Sequence, residues 1–252
     1  MISLSSLVDY GNRTLQVSRY QDYCPNGLQV AGSDEIKTLI SGVTASERFL
    51  DASISAGADA VLVHHGYFWK GESSVLVGMK YRRIRRLIEN NVALLAYHLP
   101  LDCHIEFGNN AQLAKRFGFS IIDQHTAGGV EGLLWEGELA EPESAEQFIA
   151  RVSAALGRDV LAVGRQDRDI QRIAWCSGGA QRLLNDAVEL GVDAFISGEI
   201  SEQTTHEAEE QGVLYIAAGH HATERYAVQA FGAHLASRFD LNHRYIDVDN
   251  PA

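Results

Sequence analysis

A chain of 252 residues, 46% hydrophobic and 21% charged, has an ordinary globular composition and enough length to bury a sizeable core in one or two domains. Its 33 Asp and Glu against 21 Lys and Arg leave a formal charge of −12, which opposes nonspecific binding to a polyanion. Cys24, Cys103 and Cys176 are far apart and form no CxxC pair, which excludes a cysteine-rich zinc or iron–sulfur site. No basic leader opens the chain and no apolar run reaches about 18 residues, so a cytoplasmic location without membrane association is expected.

Thr38 to Val43 is a short β-prone run, followed by a helix over Glu47 to Ala56, a turn at Gly57-Ala58-Asp59 and a second strand, Ala60 to Val63, ending in His64-His65-Gly66. The same order returns later. Arg172 to Ser177 reads as a strand, Ala180 to Leu190 as a helix, Gly191-Val192-Asp193 as the turn and Ala194 to Ser197 as a strand ending in Gly198-Glu199. The offset is 134 positions, placing Asp59 on Asp193 and His65 on Glu199. A third strand follows each copy. Asn91 to Ala96 leads into Tyr97-His98-Leu99-Pro100-Leu101-Asp102, and Val213 to Ala218 leads into Gly219-His220-His221-Ala222-Thr223-Glu224. An offset of 122 sets His98 on His220 and Asp102 on Glu224. Near-continuous apolar strands alternating with helices predict parallel sheets covered on both faces, an α/β fold of two similar units.

Between the copies, Gly128 to Trp135 reads as a turn and strand, and a helix is expected from Glu141-Pro142-Glu143 to Leu156, with Pro142 near its first turn. The domain boundary is placed at 127/128, giving halves 1–127 and 128–252. Because candidate ligands come from both halves, the halves are expected to intertwine and share a metal site. The segment Lys80 to Arg86 is locally basic; Tyr81, Ile84, Leu87 and Ile88 recur at helical spacing and should face the core, leaving the arginines outward. Such arginines either pair with the acidic surface or form a phosphate-facing patch.

Imidazoles mixed with carboxylates suit divalent metals, and the carboxyl ends of parallel strands are where open α/β sheets bind ligands. His64 and His65 end a strand; their side chains serve different ions if the chain stays extended and converge if it bends at Gly66. His220 and Glu224, four residues apart, share one face if the segment is helical. His221 is an alternative to His220. Asp102 is the expected bridge between two ions, and His98 is open among ligand, proton carrier and structural residue. Glu199 and His206 are acid/base candidates, although the polar run around His206 also fits a solvated helix face. His104 is placed to orient a ligand carboxylate.

Seven segments, taken together and in order, carry a resemblance to a family: Asn26-Gly27-Leu28-Gln29-Val30, Val63-His64-His65-Gly66, Tyr97 to Asp102, Gly108-Asn109-Asn110, Ser177-Gly178-Gly179-Ala180, Ser197-Gly198-Glu199 and Gly219 to Glu224. The chain resembles the NIF3-like (DUF34) proteins, also called GTP cyclohydrolase I type 2 homologues, and especially their short bacterial members. The resemblance implies two intertwined three-layer α/β/α domains and a dinuclear centre of divalent ions (iron, zinc, manganese or nickel) on His64, His65, Asp102, His220 and Glu224. It also implies a toroidal homohexamer and a link to damaged nucleotides or DNA damage. The expected activity is metal-dependent hydrolysis of a small nucleotide-like or phosphorylated substrate, with His98, Glu199 and His206 moving protons. The competing expectation is a metal-binding ring that holds nucleic acid or a protein partner without catalysis.

Overall fold

A computed structural model describes all 252 residues. In chain order the elements are β1 (Ile2–Ser3), α1 (Leu4–Thr14), β2 (Gly27–Val30), β3 (Glu35–Ile36), β4 (Thr38–Thr44), α2 (Glu47–Ser55), β5 (Ala60–His65), α3 (Gly78–Glu89), β6 (Ala93–Ala96) and α4 (Leu99–Asp102). There follow α5 (Asn109–Phe117), β7 (Ser120–Ala127), β8 (Val130–Ser144), α6 (Ala145–Leu156), β9 (Leu161–Gly164), β10 (Asp169–Trp175), α7 (Leu184–Glu189), β11 (Ala194–Ser197), α8 (Glu202–Gln211), β12 (Leu214–Ala217), α9 (His220–Phe239) and β13 (Asn242–Tyr245).

The chain divides into two compact units. One is Met1–Gly108 with Arg225–Asp249; the other is Asn109–Glu224 with Asn250–Ala252. The 127/128 boundary expected from sequence lies elsewhere for a simple reason. β7 pairs only with β8, so it joins the sheet of the second unit. The chain also returns late to its first unit, because residues of α9 and β13 complete that unit's core and sheet.

In the first unit the sheet order is β13-β4-β5-β6-β2, parallel except for β2. Successive strand residues alternate in facing direction. Leu39, Leu62 and Leu95 pack with Leu4 and Leu7 of α1 and Phe231 and Leu235 of α9. Ile40, Val61 and Leu94 pack on the other face with Phe49 and Leu50 of α2 and Ile84 and Leu87 of α3. Helices on both faces of one sheet make three layers. On α3 the buried residues are Lys80, Ile84 and Leu87, while Tyr81 and Ile88 are exposed. That corrects the expected face, because the lysine stem rather than the Tyr81 ring fills the groove. Lys80 Nζ donates to Ser73 O (3.0 Å) and lies 4.8 Å from the Phe68 ring centre.

The second unit has the order β7-β8-β10-β11-β12-β9, with β10, β11 and β12 parallel and the flanking strands antiparallel. One face packs Ala174, Phe195 and Tyr215 against Leu184 and Ala187 of α7 and Ala208 of α8. An aromatic group of Phe119, Phe148, Trp135 and Trp175 also packs in this unit. The helix expected from Glu141 begins instead at Ala145: Ser144 caps it in a reciprocal pair with Gln147, and Pro142 lies in β8. The capping box outcompetes the proline as a start signal.

The internal duplication is visible in hydrogen bonds. Asp59 Oδ2 accepts from the backbone N–H groups of Lys37 and Thr38 (2.9 and 2.8 Å); Asp193 Oδ2 accepts from those of Gln171 and Arg172 (2.9 Å each). All three positions shift by the 134 read from sequence. The later part does not follow the 122 offset. Tyr97 N–H donates to Val63 O as Ala218 N–H donates to Ser197 O, and Asp102 N–H donates to His98 O as Thr223 N–H donates to Gly219 O. Backbone bonding thus matches His98 with Gly219 and Leu99 with His220, one residue away from the pairing that aligned the histidines.

Candidate metal-binding clusters at the strand ends

In the first unit β5 delivers His64 and His65 at its carboxyl end. The two imidazole rings converge, with centroids 4.7 Å apart, so the side chains do not splay as strict extension would require. His64 is fully buried. Its Nδ1 lies 2.9 Å from Tyr97 O; a carbonyl only accepts, so Nδ1 carries the proton and the neutral ring presents a lone pair at Nε2. That Nε2 lies 3.4 Å from Oδ2 of Asp102, at 5% exposure. Two acceptors facing each other in a dry site call for a cation between them, either a proton or a metal ion. His65 Nδ1 is 3.2 Å from Thr44 Oγ1. Asp102 reaches its place because α4 is a single turn, with Pro100 in its first positions, where a missing N–H costs least.

His98 joins this group. Donor atoms of His64, His65 and His98 lie within 4.8 Å of one another. Its Nδ1–H donates to Asp22 Oδ1 (2.8 Å). Asp22 also accepts from Asn26 Nδ2 and Leu99 N (2.8 and 2.9 Å). Burial opposes the charged Asp22 carboxylate, but hydrogen bonds from His98, Asn26 and Leu99 hold its pKa below the usual aspartate value. Asp22 was not found from sequence. It lies 76 positions from His98, and only the fold brings them together.

In the second unit β12 leads through Gly219 into α9, whose first turn carries His220 and Glu224 on one face. His220 Nδ1 is 2.7 Å from Glu199 Oε1, and its Nε2 is 3.2 Å from Oε2 of the buried Glu224. Burial works against a charged imidazole here, yet hydrogen bonds to Glu224 and Glu199 push the pKa of His220 up to about 9. With Nδ1–H given to Glu199, Nε2 is the nitrogen turned to the Glu224 carboxylate, and a proton or a metal ion can sit between them. Gly178, at φ +66, makes this approach possible: its N–H donates to Thr223 Oγ1 (3.0 Å), and a Cβ there would collide with Glu224 Oε1.

Other expected site residues lie apart. His206 is 65% exposed beside Glu202 on α8, 3.4 Å away, the solvated helix face. His104 Nδ1 accepts from the N–H groups of Glu106 and Phe107 (3.1 Å each), so it fixes a turn rather than orienting a ligand. The backbone N–H of His221 donates to Ala252 O; it is His220 that faces Glu224. On α3, Arg82 pairs with Glu47, Arg86 with Glu47 and Asp51, and Arg85 with Glu89, the surface pairing that the sequence allowed.

Strand-end clusters in which imidazole nitrogens meet buried carboxylates, set on a doubled α/β/α plan, define a protein with the capacity to bind metal. The donor set fits borderline divalent ions such as iron, zinc, manganese or nickel. The family model for Duf34/NIF3 (NGG1p interacting factor 3) matches residues 2–251, and the chain belongs to this family. It is 53% identical over 251 residues to a Pseudomonas aeruginosa protein described as a GTP cyclohydrolase 1 type 2 homolog, covering 100% of this chain and 99% of the relative. An Escherichia coli K12 protein with the same description is 47% identical over 242 residues, 96% of each chain. Among solved structures, protein ybgI, of unknown function, superposes with a TM-score of 0.94 at 45% identity over 100% of both chains. TTHA1606 from Thermus thermophilus does so at 0.88 and 31%, again over 100% of both chains. No helix is long and apolar enough to cross a membrane.

Proposed function

We propose that this protein is a hydrolase dependent on two divalent metal ions held by His64, His65, Asp102, His220 and Glu224, acting on a small nucleotide-like or phosphorylated substrate. The observation that carries the reading is the repeated facing of an imidazole Nε2 and a buried carboxylate, His64 with Asp102 and His220 with Glu224, where in each case the other ring nitrogen is already engaged. When bound, the ions supply Lewis acidity, lowering the pKa of water and stabilising negative charge that develops on the substrate. Tyr97 O and Glu199 fix the tautomers and orientations of His64 and His220. His98, held through Nδ1 by Asp22, is left with Nε2 beside His64 and His65 to take or give a proton. Glu199 keeps Oε2, which accepts from Gln181 Nε2 (3.3 Å), as a second proton acceptor. His206 has no such surroundings and carries no step.

The same reading has the subunits close into a six-membered ring, supported by the exposed Ile121 and Ile122 (49% each) on edge strand β7. Nucleic-acid binding without catalysis is less favoured, because carboxylates already engage Arg82, Arg85 and Arg86 and the net charge is −12.

The deciding experiment is elemental analysis of gently purified protein beside Asp102→Ala, followed by phosphoester and nucleotide hydrolysis by the loaded protein. About two metal atoms per chain, falling sharply in the variant, with hydrolysis lost in parallel, is expected. A wild-type chain that takes up no divalent ion would sink the proposal.

A further inference from the structure

The loop after the paired histidines is built on a residue in an uncommon conformation. Phe68 has φ +64, a region bulky L-residues rarely adopt and which points to a functional constraint. The bend sends the chain back so that Trp69 lies against the imidazoles. Trp69 Nε1–H donates to Gly66 O (3.2 Å) and its backbone N–H to Glu72 Oε2 (3.1 Å). The indole centroid stands 5.9 Å from the His65 ring and 5.0 Å, edge-on at 89°, from the His98 ring. A second loop meets this one: Lys70 N–H donates to Tyr23 O (2.6 Å), and the Tyr23 ring lies 6.3 Å from His98.

Two aromatic side chains from separate loops thus each contact the imidazole of His98, beside His64 and His65. Neither is a core residue: Tyr23 is 54% exposed and Trp69 is only partly buried, whereas Trp135 and Trp175 are fully buried. Electron-rich indole and phenol faces beside a polar site favour flat, electron-poor rings, the way single bases are held without sequence readout.

We infer that Trp69 and Tyr23 form a stacking subsite for a planar nitrogen heterocycle of the nucleobase kind, carried by a ligand whose polar part lies at the metal cluster of His64 and His65. The inference rests on reading those histidines as metal ligands, and it names the ring-bearing class of substrate for that site.

The test uses the full chain loaded with divalent metal and, separately, stripped of it. The probe is adenosine, which has a base but no phosphate to attract an ion; ribose is the control without a ring. Adenosine is expected to quench tryptophan emission saturably and ribose to leave it unchanged, since the other two tryptophans are shielded. Trp69→Leu and Tyr23→Leu should each weaken adenosine binding, followed by equilibrium dialysis, by about tenfold, with metal content unchanged. Absence of saturable adenosine binding in both forms of the wild type, or equal affinity in Tyr23→Leu, would overturn the inference; that half-exposed position decides even if Trp69→Leu folds poorly. A chain that holds metal and cleaves phosphoesters but ignores adenosine refutes the stacking subsite alone. A chain without metal or hydrolysis refutes the hydrolase reading, whatever adenosine does.

Discussion

Single residues carry most of the chemistry, and Gly178 shows how closely backbone and ligand are tied. Its left-handed φ and the contact a Cβ would make with Glu224 both oppose a side chain. Gly178→Ala is expected to cost about 1–2 kcal/mol in urea unfolding and to lower metal content with it; a variant with wild-type metal would separate the loop from the site. His243 offers a pH effect remote from the clusters. Burial holds its imidazole below the usual value of about 6.5, and its Nε2 is 2.8 Å from Ser41 Oγ. A depressed folded pKa means its contribution is full above about pH 6.5 and is lost as pH falls through the folded value. Metal-free wild type should therefore lose thermal stability from pH 7.5 towards 5 more steeply than His243→Gln; parallel slopes would count against it. His64, His65, His220 and Glu224 were legible because they end strands or share a helix face. Asp22 was not, because its partnership depends on distant segments folding together.

Among the elements, the repeated strand–helix–turn–strand plan was readable from apolar runs and from the Gly-Ala-Asp and Gly-Val-Asp turns, whose aspartates bond the preceding strand alike. Asp59→Ala and Asp193→Ala each leave two backbone N–H groups without their acceptor, so each should destabilise the chain by about 1–3 kcal/mol in denaturant titrations. Asp193→Ala should be the larger, since Asp193 also pairs with Arg168; the reverse order would show that the ion pair contributes nothing. What sequence patterning missed was register and length. β8 runs through Pro142 to Ser144 because its far end pairs with β10, Glu143 with Ile170 and Ser144 with Asp169, a long-range requirement that local propensity does not record. The α3 face was misassigned because hydrophobic periodicity ignores the apolar stem of a lysine.

At the scale of the whole molecule, the acidic charge and the paired arginines of α3 leave assembly as the property most open to measurement. Sedimentation equilibrium should give six times the 27.6 kDa chain mass, and Ile122→Lys on the exposed edge of β7 should shift the distribution to smaller species. A wild-type chain that sediments as a monomer at micromolar concentration would remove the ring from the proposal. The fold class was legible because the central strands β5, β6, β11 and β12 are buried almost throughout; the division of the chain was not, because α9 passes from one unit into the other.

The one-residue difference between sequence matching and backbone bonding bears on ancestry. Backbone equivalence sets His65 against Glu199 and Leu99 against His220, so no pair of copies offers the same donor in the same place. A freshly doubled gene encoding identical halves would have repeated each donor. This chain instead carries paired imidazoles at one strand end and, in the other half, a histidine on a helix with a glutamate behind it, donors that do not stand at equivalent backbone positions.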